Sequence, residues 1–291
     1  MKKLKLGFCD THDHIKLFFS SLLATRYDLE LDDTSPDYLI FGDENFGSSN
    51  SKFSKDDCIK IFYTGENQRP ENYDCHYAIS FDHNFNPWHY RLPLFVIYMW
   101  SLDKIHNTGH EYFHILNKHS PKQKTGFASF VVSNPNNKFR NNFFLKLNEI
   151  KAVDSGGKLY NNIGKQLQGE MEKIDFLSKR KFNICFEPYS HPGYLTEKIL
   201  HAFYAETLPI YWGSTTIASD FNPGAFIDVN NFSSMEEAIE YVMHVDSDHA
   251  LYSEYMEQPK LLDNIPRDYM MLTNFLNWFD SIVYNKIEMR S

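Results

Sequence analysis

Lys198 stands where a helix is expected to begin, and a lysine there is electrostatically out of place. It lies in the run Phe186-Glu-Pro-Tyr-Ser-His-Pro-Gly-Tyr-Leu-Thr-Glu-Lys-Ile199, which is followed by Leu208-Pro-Ile-Tyr-Trp-Gly213. The run reads as a buried strand, a glycine-containing turn, a helix and a second buried strand. Thr196 is a suitable N-cap, because its hydroxyl can accept from a first-turn amide. Glu197 suits the positive end of the helix, whereas Lys198 opposes it at a cost of about 0.3–1 kcal/mol. A bound phosphate would compensate that charge; an exposed lysine bending away from the dipole is the alternative. Ser133-Asn-Pro-Asn-Asn-Lys-Phe-Arg140 repeats the arrangement. It leaves a strand and puts Arg140 near the first turn of a helix expected over 138–150. A planar guanidinium fork and an ammonium point charge would together suit a diphosphate, against the alternative of two unrelated surface cations. Glu66, in Tyr63-Thr-Gly-Glu-Asn67, falls just past a strand end. Its carboxylate could act as general base toward a hydroxyl, or it is an ordinary solvated loop residue.

Two further constellations carry less. Thr11-His-Asp-His14 has a His-x-His spacing used by some metal hydrolases, but no later cluster completes a ligand set. Asp246-Ser-Asp248 resembles an Asp-x-Asp metal motif, yet it ends an amphipathic helix pattern instead of a core strand. Helix-end surface is the expectation there. No GxGxxG, Walker loop or GxSxG occurs.

The elements that must position these residues follow from pattern. Short, nearly continuous apolar runs at 4–9, 37–42, 58–64 and 77–81 suit parallel strands covered on both faces. A helix over 15–25 is expected to bury Leu17, Phe18, Leu22 and Leu23. A polar stretch over 104–124 contains Asn-Thr-Gly at 107–109 and Ser-Pro at 120–121, and the domain boundary is expected near its end. Beyond it come a strand over 126–132, the helix over 138–150, a strand over 182–186 and the helix–strand pair already described. Ser234-Met-Glu-Glu237 reads as a capping box opening a helix over 238–245. A last apolar-patterned helix spans about 269–282. Alternating strands and helices predict two α/β units, with a ligand cleft between them at strand C-termini.

With 291 residues, about two domains are expected. A net charge of −9 argues against a nucleic-acid backbone as partner, while leaving room for a local basic pocket. Cys9, Cys58, Cys75 and Cys185 form no CxxC pair, which speaks for reduced thiols instead of zinc or a disulfide framework. The longest apolar stretch, over 92–100, is far short of the roughly 20 residues that span a bilayer. No transmembrane segment or signal peptide is expected.

Read in order, several motifs resemble the bacterial α-1,3/1,4-fucosyltransferases of glycosyltransferase family 10. They are Phe62-Tyr-Thr-Gly-Glu-Asn67, Tyr77-Ala-Ile-Ser-Phe-Asp82, Tyr90-Arg-Leu-Pro-Leu94, Gly126-Phe-Ala-Ser-Phe130, Ser133-Asn-Pro-Asn136 with Arg140, Gly193-Tyr-Leu-Thr-Glu-Lys-Ile199, Leu208-Pro-Ile-Tyr-Trp-Gly-Ser214 and Asp220-Phe-Asn-Pro223. The resemblance implies an α/β, GT-B architecture of two Rossmann-like domains facing a cleft. An acceptor-binding domain would occupy 1–122, a GDP-sugar domain 123–262, and a closing helix over 263–291 would pack back on the first. It implies inverting transfer of L-fucose from GDP-β-L-fucose to the 3-hydroxyl of a GlcNAc-type or Glc residue in an oligosaccharide. Glu66 matches the family's general base, Arg140 and Lys198 its diphosphate cations, and Tyr194 and Glu197 residues that hold the nucleotide-sugar. No cofactor is required by this scheme and no metal site is implied, with Mn²⁺ or Mg²⁺ stimulation left open. The implied location is cytoplasmic, with peripheral attachment at the inner membrane as the alternative.

The chain also departs from the pattern. Pro188 stands where the family usually carries Asn, and proline has neither the amide side chain nor a backbone N–H. A different GDP-sugar donor therefore stays open, as does a catalytically silent GDP- or glycan-binding protein. Tryptophans familiar near the acceptor site of bacterial relatives are missing around 10–14. The basic repeat-bearing tail of some relatives is absent, which speaks against membrane attachment through it.

Overall fold

A computed structural model describes residues 1–84, 86–106, 116 and 123–290, with side chains in all of these but 104–106 and 285–290. The Asn-Thr-Gly and Ser-Pro signals at 107–109 and 120–121, and the boundary expected near 122, lie outside the described residues. Two compact units form: Met1–Ile97 with Pro266–Ser291, and Tyr98–Ile265.

The first unit begins β1 (Lys2–Cys9), α1 (Asp13–Leu23), β2 (Tyr27–Leu31), β3 (Tyr38–Phe41), β4 (Ile59–Tyr63), β5 (Tyr77–Ser80) and β6 (His89–Arg91), and α2 (Leu94–His106) follows. Its strands pair in parallel in the order β2-β1-β3-β4-β5-β6. Leu39, Ile40, Phe41, Ile61 and Phe62 are fully buried, as continuous apolar runs in a covered parallel sheet should be. One expectation fails on α1. Leu17 is 58% exposed, and the buried stripe is Ile15, Phe18, Phe19, Leu22 and Leu23. That set follows the i, i+3, i+4, i+7, i+8 spacing of one helix face, and residue 17 falls off it.

The second unit contains β7 (Gly126–Phe130), α3 (Lys138–Ile150), β8 (Val153–Ser155), α4 (Gly169–Ser178), β9 (Arg180–Phe186), α5 (Lys198–Tyr204), β10 (Leu208–Trp212), β11 (Ile227–Asp228), α6 (Met235–Ser247) and α7 (His249–Glu257). The strands are again parallel, in the order β11-β10-β9-β7-β8. The order reverses at β7, which has β8 on one side and β9 on the other. The loops leaving β7 and β9 therefore emerge side by side, the position where open α/β sheets take ligands.

At α6 the Ser234 hydroxyl accepts from the Glu237 N–H at 3.1 Å, as a capping box requires. The Glu237 carboxylate, however, accepts from the Ser233 N–H at 2.9 Å, so the reciprocal bond closes one residue early. Asp246 ends α6 paired with Lys151 and Lys181, and Asp248 caps α7 through the Ala250 and Leu251 N–H groups. The Asp-x-Asp sequence thus serves ion pairing and capping at helix ends, with the Asp246 side chain only 8% exposed.

The chain closes with α8 (Leu272–Arg290), which belongs to the first unit. Phe275 packs on Phe19 and Tyr90, Phe279 on Tyr27 and Tyr38, and the Trp278 indole donates to the Pro87 carbonyl at 2.9 Å. No described helix is long and apolar enough to cross a membrane.

Candidate active site

The two loops at the β7/β9 reversal are joined by one amide. Asn137 caps α3: its Oδ1 accepts from the Arg140 N–H at 2.9 Å. Its Nδ2 donates to the carbonyls of Glu187, at 3.1 Å, and Pro188, at 3.0 Å. Pro188 needs no side-chain partner to be held, because a residue from the neighbouring loop grips its carbonyl. Arg140 is 2% exposed, and one guanidinium nitrogen donates to the Asn134 carbonyl at 2.6 Å. Its Nε–H is buried with no hydrogen-bond partner among the described residues. Such an orphan donor costs about 1–3 kcal/mol until an acceptor reaches it. Burial lowers the Arg140 pKa, while the charges of Glu187, Tyr194 and Glu197 act the other way. The guanidinium stays cationic.

Glu187, the residue after β9, is completely buried. Its carboxylate accepts from the Thr196 N–H at 2.8 Å and the Thr196 hydroxyl at 2.6 Å, and lies 3.4 Å from the Lys198 ammonium. Lys198 donates to Thr196 Oγ1 at 2.8 Å and pairs with Glu197 at 3.4 Å; Lys173 of α4 pairs with Glu197 from the other side at 3.1 Å. Thr196 is therefore not the N-cap expected. The helix begins at Lys198, and the threonine hydroxyl donates its proton to the stronger acceptor, a buried carboxylate. The first-turn lysine is compensated by Glu187 and Glu197 within the chain itself.

Burial pushes the Glu187 pKa up, with Lys198 opposing it. Burial alone would also lower Lys198, but Glu197 and Glu187 outweigh it and raise the ammonium. At Glu197 the burial effect is overcome by Lys198 and Lys173, which hold the carboxyl well below its ordinary 4.5. Three cations, Arg140, Lys198 and Lys173, thus stand around the two carboxylates of Glu187 and Glu197. Tyr194 is wholly buried beside it, near enough to Arg140 to act on its charge. A depressed folded-state pKa means that Glu197 stabilises the fold fully above pH 4.5 and loses that contribution as pH falls further. Glu197→Gln is expected to flatten the decline of Tm below pH 4.5, a difference that thermal scans of both proteins across that range will read.

Gly213 closes the cluster from β10. Its φ is +155°, and a Cβ there would fall 2.6 Å from Glu187 Cγ and 2.7 Å from the Tyr211 hydroxyl. Gly213→Ala is expected to displace Glu187 and lower Tm, which thermal unfolding measures.

Glu66 is positioned in the first unit by the loop after β4. Its N–H donates to Thr64 Oγ1 at 3.0 Å, and that hydroxyl donates to buried Asp43, from the loop after β3, at 2.8 Å. A Cβ on Gly65 would sit 3.0 Å from the Leu94 side chain, so the turn before Glu66 is closely packed. Arg140, Tyr194, Glu197 and Lys198 thus gather at one end of one sheet, while Glu66 stands at the end of a strand in the other. Sequence reasoning assigned no role to Glu187, Lys173 or Asn137. A glutamate ending the apolar run 182–186 was the available signal for the first. His12 and His14 stack at 5.5 Å, and among the described residues no three His, Cys, Asp or Glu side chains form a metal-binding group.

Comparison with known proteins decides the family. Residues 121–271 match the family model for the C-terminal part of glycosyltransferase family 10 (fucosyltransferase), and residues 5–98 match that for the N-terminal domain of alpha-(1,3)-fucosyltransferase FucT. The chain belongs to glycosyltransferase family 10. This family 10 chain is 33% identical over 309 residues to the alpha-(1,3)-fucosyltransferase FucT of Helicobacter pylori, an alignment covering 94% of the chain and 64% of that protein. The chain thus spans a little under two thirds of that relative's length. Over 45% of the chain it is 33% identical to a human 4-galactosyl-N-acetylglucosaminide 3-alpha-L-fucosyltransferase, of which 36% is covered. A crystal structure of alpha1,3-fucosyltransferase with GDP superposes at a TM-score of 0.80 and 30% identity, covering 97% of this chain and 91% of that one. A second, with GDP-fucose, superposes at 0.77 and 28% identity over the same shares. The family 10 fold, α/β of the GT-B class with two parallel sheets, is the one expected from the motifs.

Proposed function

We propose that the chain is an inverting α-1,3-fucosyltransferase that moves L-fucose from GDP-β-L-fucose to the 3-hydroxyl of a GlcNAc-type or Glc residue in an oligosaccharide. The observation that carries this reading is the β7/β9 cluster. A buried arginine with an orphan donor and a lysine braced by two carboxylates stand where a parallel sheet takes ligands, in a chain similar to a protein crystallised with GDP-fucose. Arg140 and Lys198 would hold the diphosphate, Glu197 the sugar hydroxyls, and Tyr194 the nucleotide-sugar. The acceptor domain is assigned to residues 1–122 and the donor domain to 123–262, in a cytoplasmic enzyme.

In the reaction, the acceptor oxygen forms a bond to fucose C1 as the bond from C1 to the phosphate oxygen breaks. Glu66 takes the acceptor hydroxyl proton, and GDP leaves with the electron pair. Charge growing on the departing diphosphate meets Arg140 and Lys198, the kind of electrostatic stabilisation that is often the largest catalytic effect. Attack opposite to GDP turns a β-linked donor into an α-linked product.

Incubation with GDP-fucose and N-acetyllactosamine tests the proposal. One GDP should be released per fucose transferred, and the anomeric proton of the product should report an α linkage to O3. Pro188 makes a donor panel informative: selective use of another GDP-hexose would replace fucose in the assignment. GDP binding without turnover on any acceptor would instead identify a silent binding protein.

A further inference from the structure

A cavity of about 280 Å³ lies within the first unit, walled by His83, Asn84, Tyr90, Arg91, Asp268, Tyr269 and Asn274. It sits below the roughly 300–1,000 Å³ of drug-sized ligand pockets and has room for one small cyclic ligand. Its walls are built without a ligand. The Arg91 guanidinium, 9% exposed, lies over the Tyr269 ring at 4.2 Å. The Tyr90 hydroxyl donates to the Tyr269 carbonyl at 3.3 Å, and Asn274 Nδ2 donates to the Asp268 carbonyl at 2.9 Å. Two tyrosines offer apolar ring surface, while a guanidinium, a carboxylate, an imidazole and two amides offer hydrogen-bond partners. That mixture matches a pyranose, which has an apolar C–H face and a rim of hydroxyls. The Arg91 cation and the Asp268 anion balance, so the wall favours a neutral sugar over a charged one.

Its place in the fold ties the cavity to Glu66. The loops after β4 and β5 and the strand β6 carry Glu66, Asn84 and Arg91 in turn, and neighbouring strands lie about 4.8 Å apart. A hydrogen-bonded frame joins them. Arg69 bonds Asn67 beside Glu66 and pairs with Asp82 at 3.0 Å; Ser80 donates to Asp82 at 2.8 Å and meets His89 at 2.9 Å. The cavity is thus about two strand spacings, roughly 10 Å, from the loop bearing Glu66. We infer that this cavity binds a neutral hexose of the acceptor glycan, a unit neighbouring the one that receives fucose. The inference rests on the transferase reading above.

The test compares wild type, Tyr269→Ala and Arg91→Lys on two acceptors, an O-alkyl N-acetylglucosaminide and a linear neutral tetrasaccharide containing N-acetylglucosamine. Arg91→Lys keeps the charge and loses the planar stack, so it probes the cavity with little risk to folding. Both variants should lower kcat/KM on the tetrasaccharide about ten-fold, chiefly through KM, and leave the monosaccharide within about two-fold. Equal losses on both acceptors would mean a structural role, and no loss on either would mean an unused cavity; each result overturns the inference. So would a larger loss on a sialylated tetrasaccharide than on the neutral one. Saturation-transfer NMR on the unreacted neutral tetrasaccharide reads binding separately. If wild type transfers nothing, the transferase reading fails, while sugar signals that vanish in the variants still support the subsite and unchanged signals refute it.

Discussion

Glu66→Gln is expected to lower kcat for fucosyl transfer by about 10²–10⁴-fold, the usual contribution of a positioned general base, with GDP affinity unchanged. Glutamine keeps the shape and the backbone bond to Thr64, which in turn is held by Asp43. Only the proton acceptor is removed. The acceptor hydroxyl must lose its proton as it attacks, and without a base it attacks as a poorer nucleophile. The cluster of Arg140 and Lys198 proposed to hold the diphosphate belongs to the other unit and should bind GDP as before. Steady-state transfer rates and calorimetric GDP titration separate the two effects. Turnover equal to wild type would remove Glu66 from the mechanism.

Glu187→Ala is expected to damage both the fold and the proposed donor site. The carboxylate satisfies the Thr196 N–H and hydroxyl and neutralises part of the Lys198 charge. Removing one partner of a buried pair costs about 3–5 kcal/mol, and the partial exposure of Lys198, 19%, points to the lower end. A loss of about 3 kcal/mol corresponds to a Tm decrease of roughly 6–12 °C in a protein of this size. Thr196 and Lys198 would also lose their common anchor, so GDP affinity should fall with Tm. Glu187→Gln retains an acceptor for the Thr196 N–H and should lose less of both. If Glu187→Ala unfolds at the wild-type temperature and binds GDP normally, the carboxylate is not the keystone of this cluster.

The strongly apolar elements were readable from the chain alone. The helix over 138–150 has the bounds expected, and the parallel strands follow from continuous apolar runs. The edge elements were not. β2 reads Tyr-Asp-Leu-Glu-Leu, and β8 is Val-Asp-Ser; both are short and half polar, and only their neighbours make them strands. α4 starts at Gly169 with φ +70° and no side-chain cap, so nothing local announces it. The site was legible as residue types and spacing, since Arg140, Glu197 and Lys198 lie at strand-to-helix transitions. What could not be read was the pairing. Glu187 and Lys173 come from different elements and meet Lys198 and Glu197 only in three dimensions, and Thr196 has two possible partners until a buried carboxylate accepts its hydroxyl hydrogen bond.

The discontinuous first unit has a consequence for biosynthesis. Phe275, Trp278 and Phe279, which cover Phe19, Tyr27, Tyr38 and Tyr90, are among the last of its apolar groups to leave the ribosome, after all of Tyr98–Ile265. At about 5–20 residues per second, that delay is on the order of ten to thirty seconds. For that time a nascent sheet presents an uncovered aromatic face, while the second unit emerges as an uninterrupted stretch able to fold in the order of its synthesis. A stop codon just before α8 should therefore yield a chain whose second unit matures normally and whose first is held by chaperones or lost to inclusion bodies.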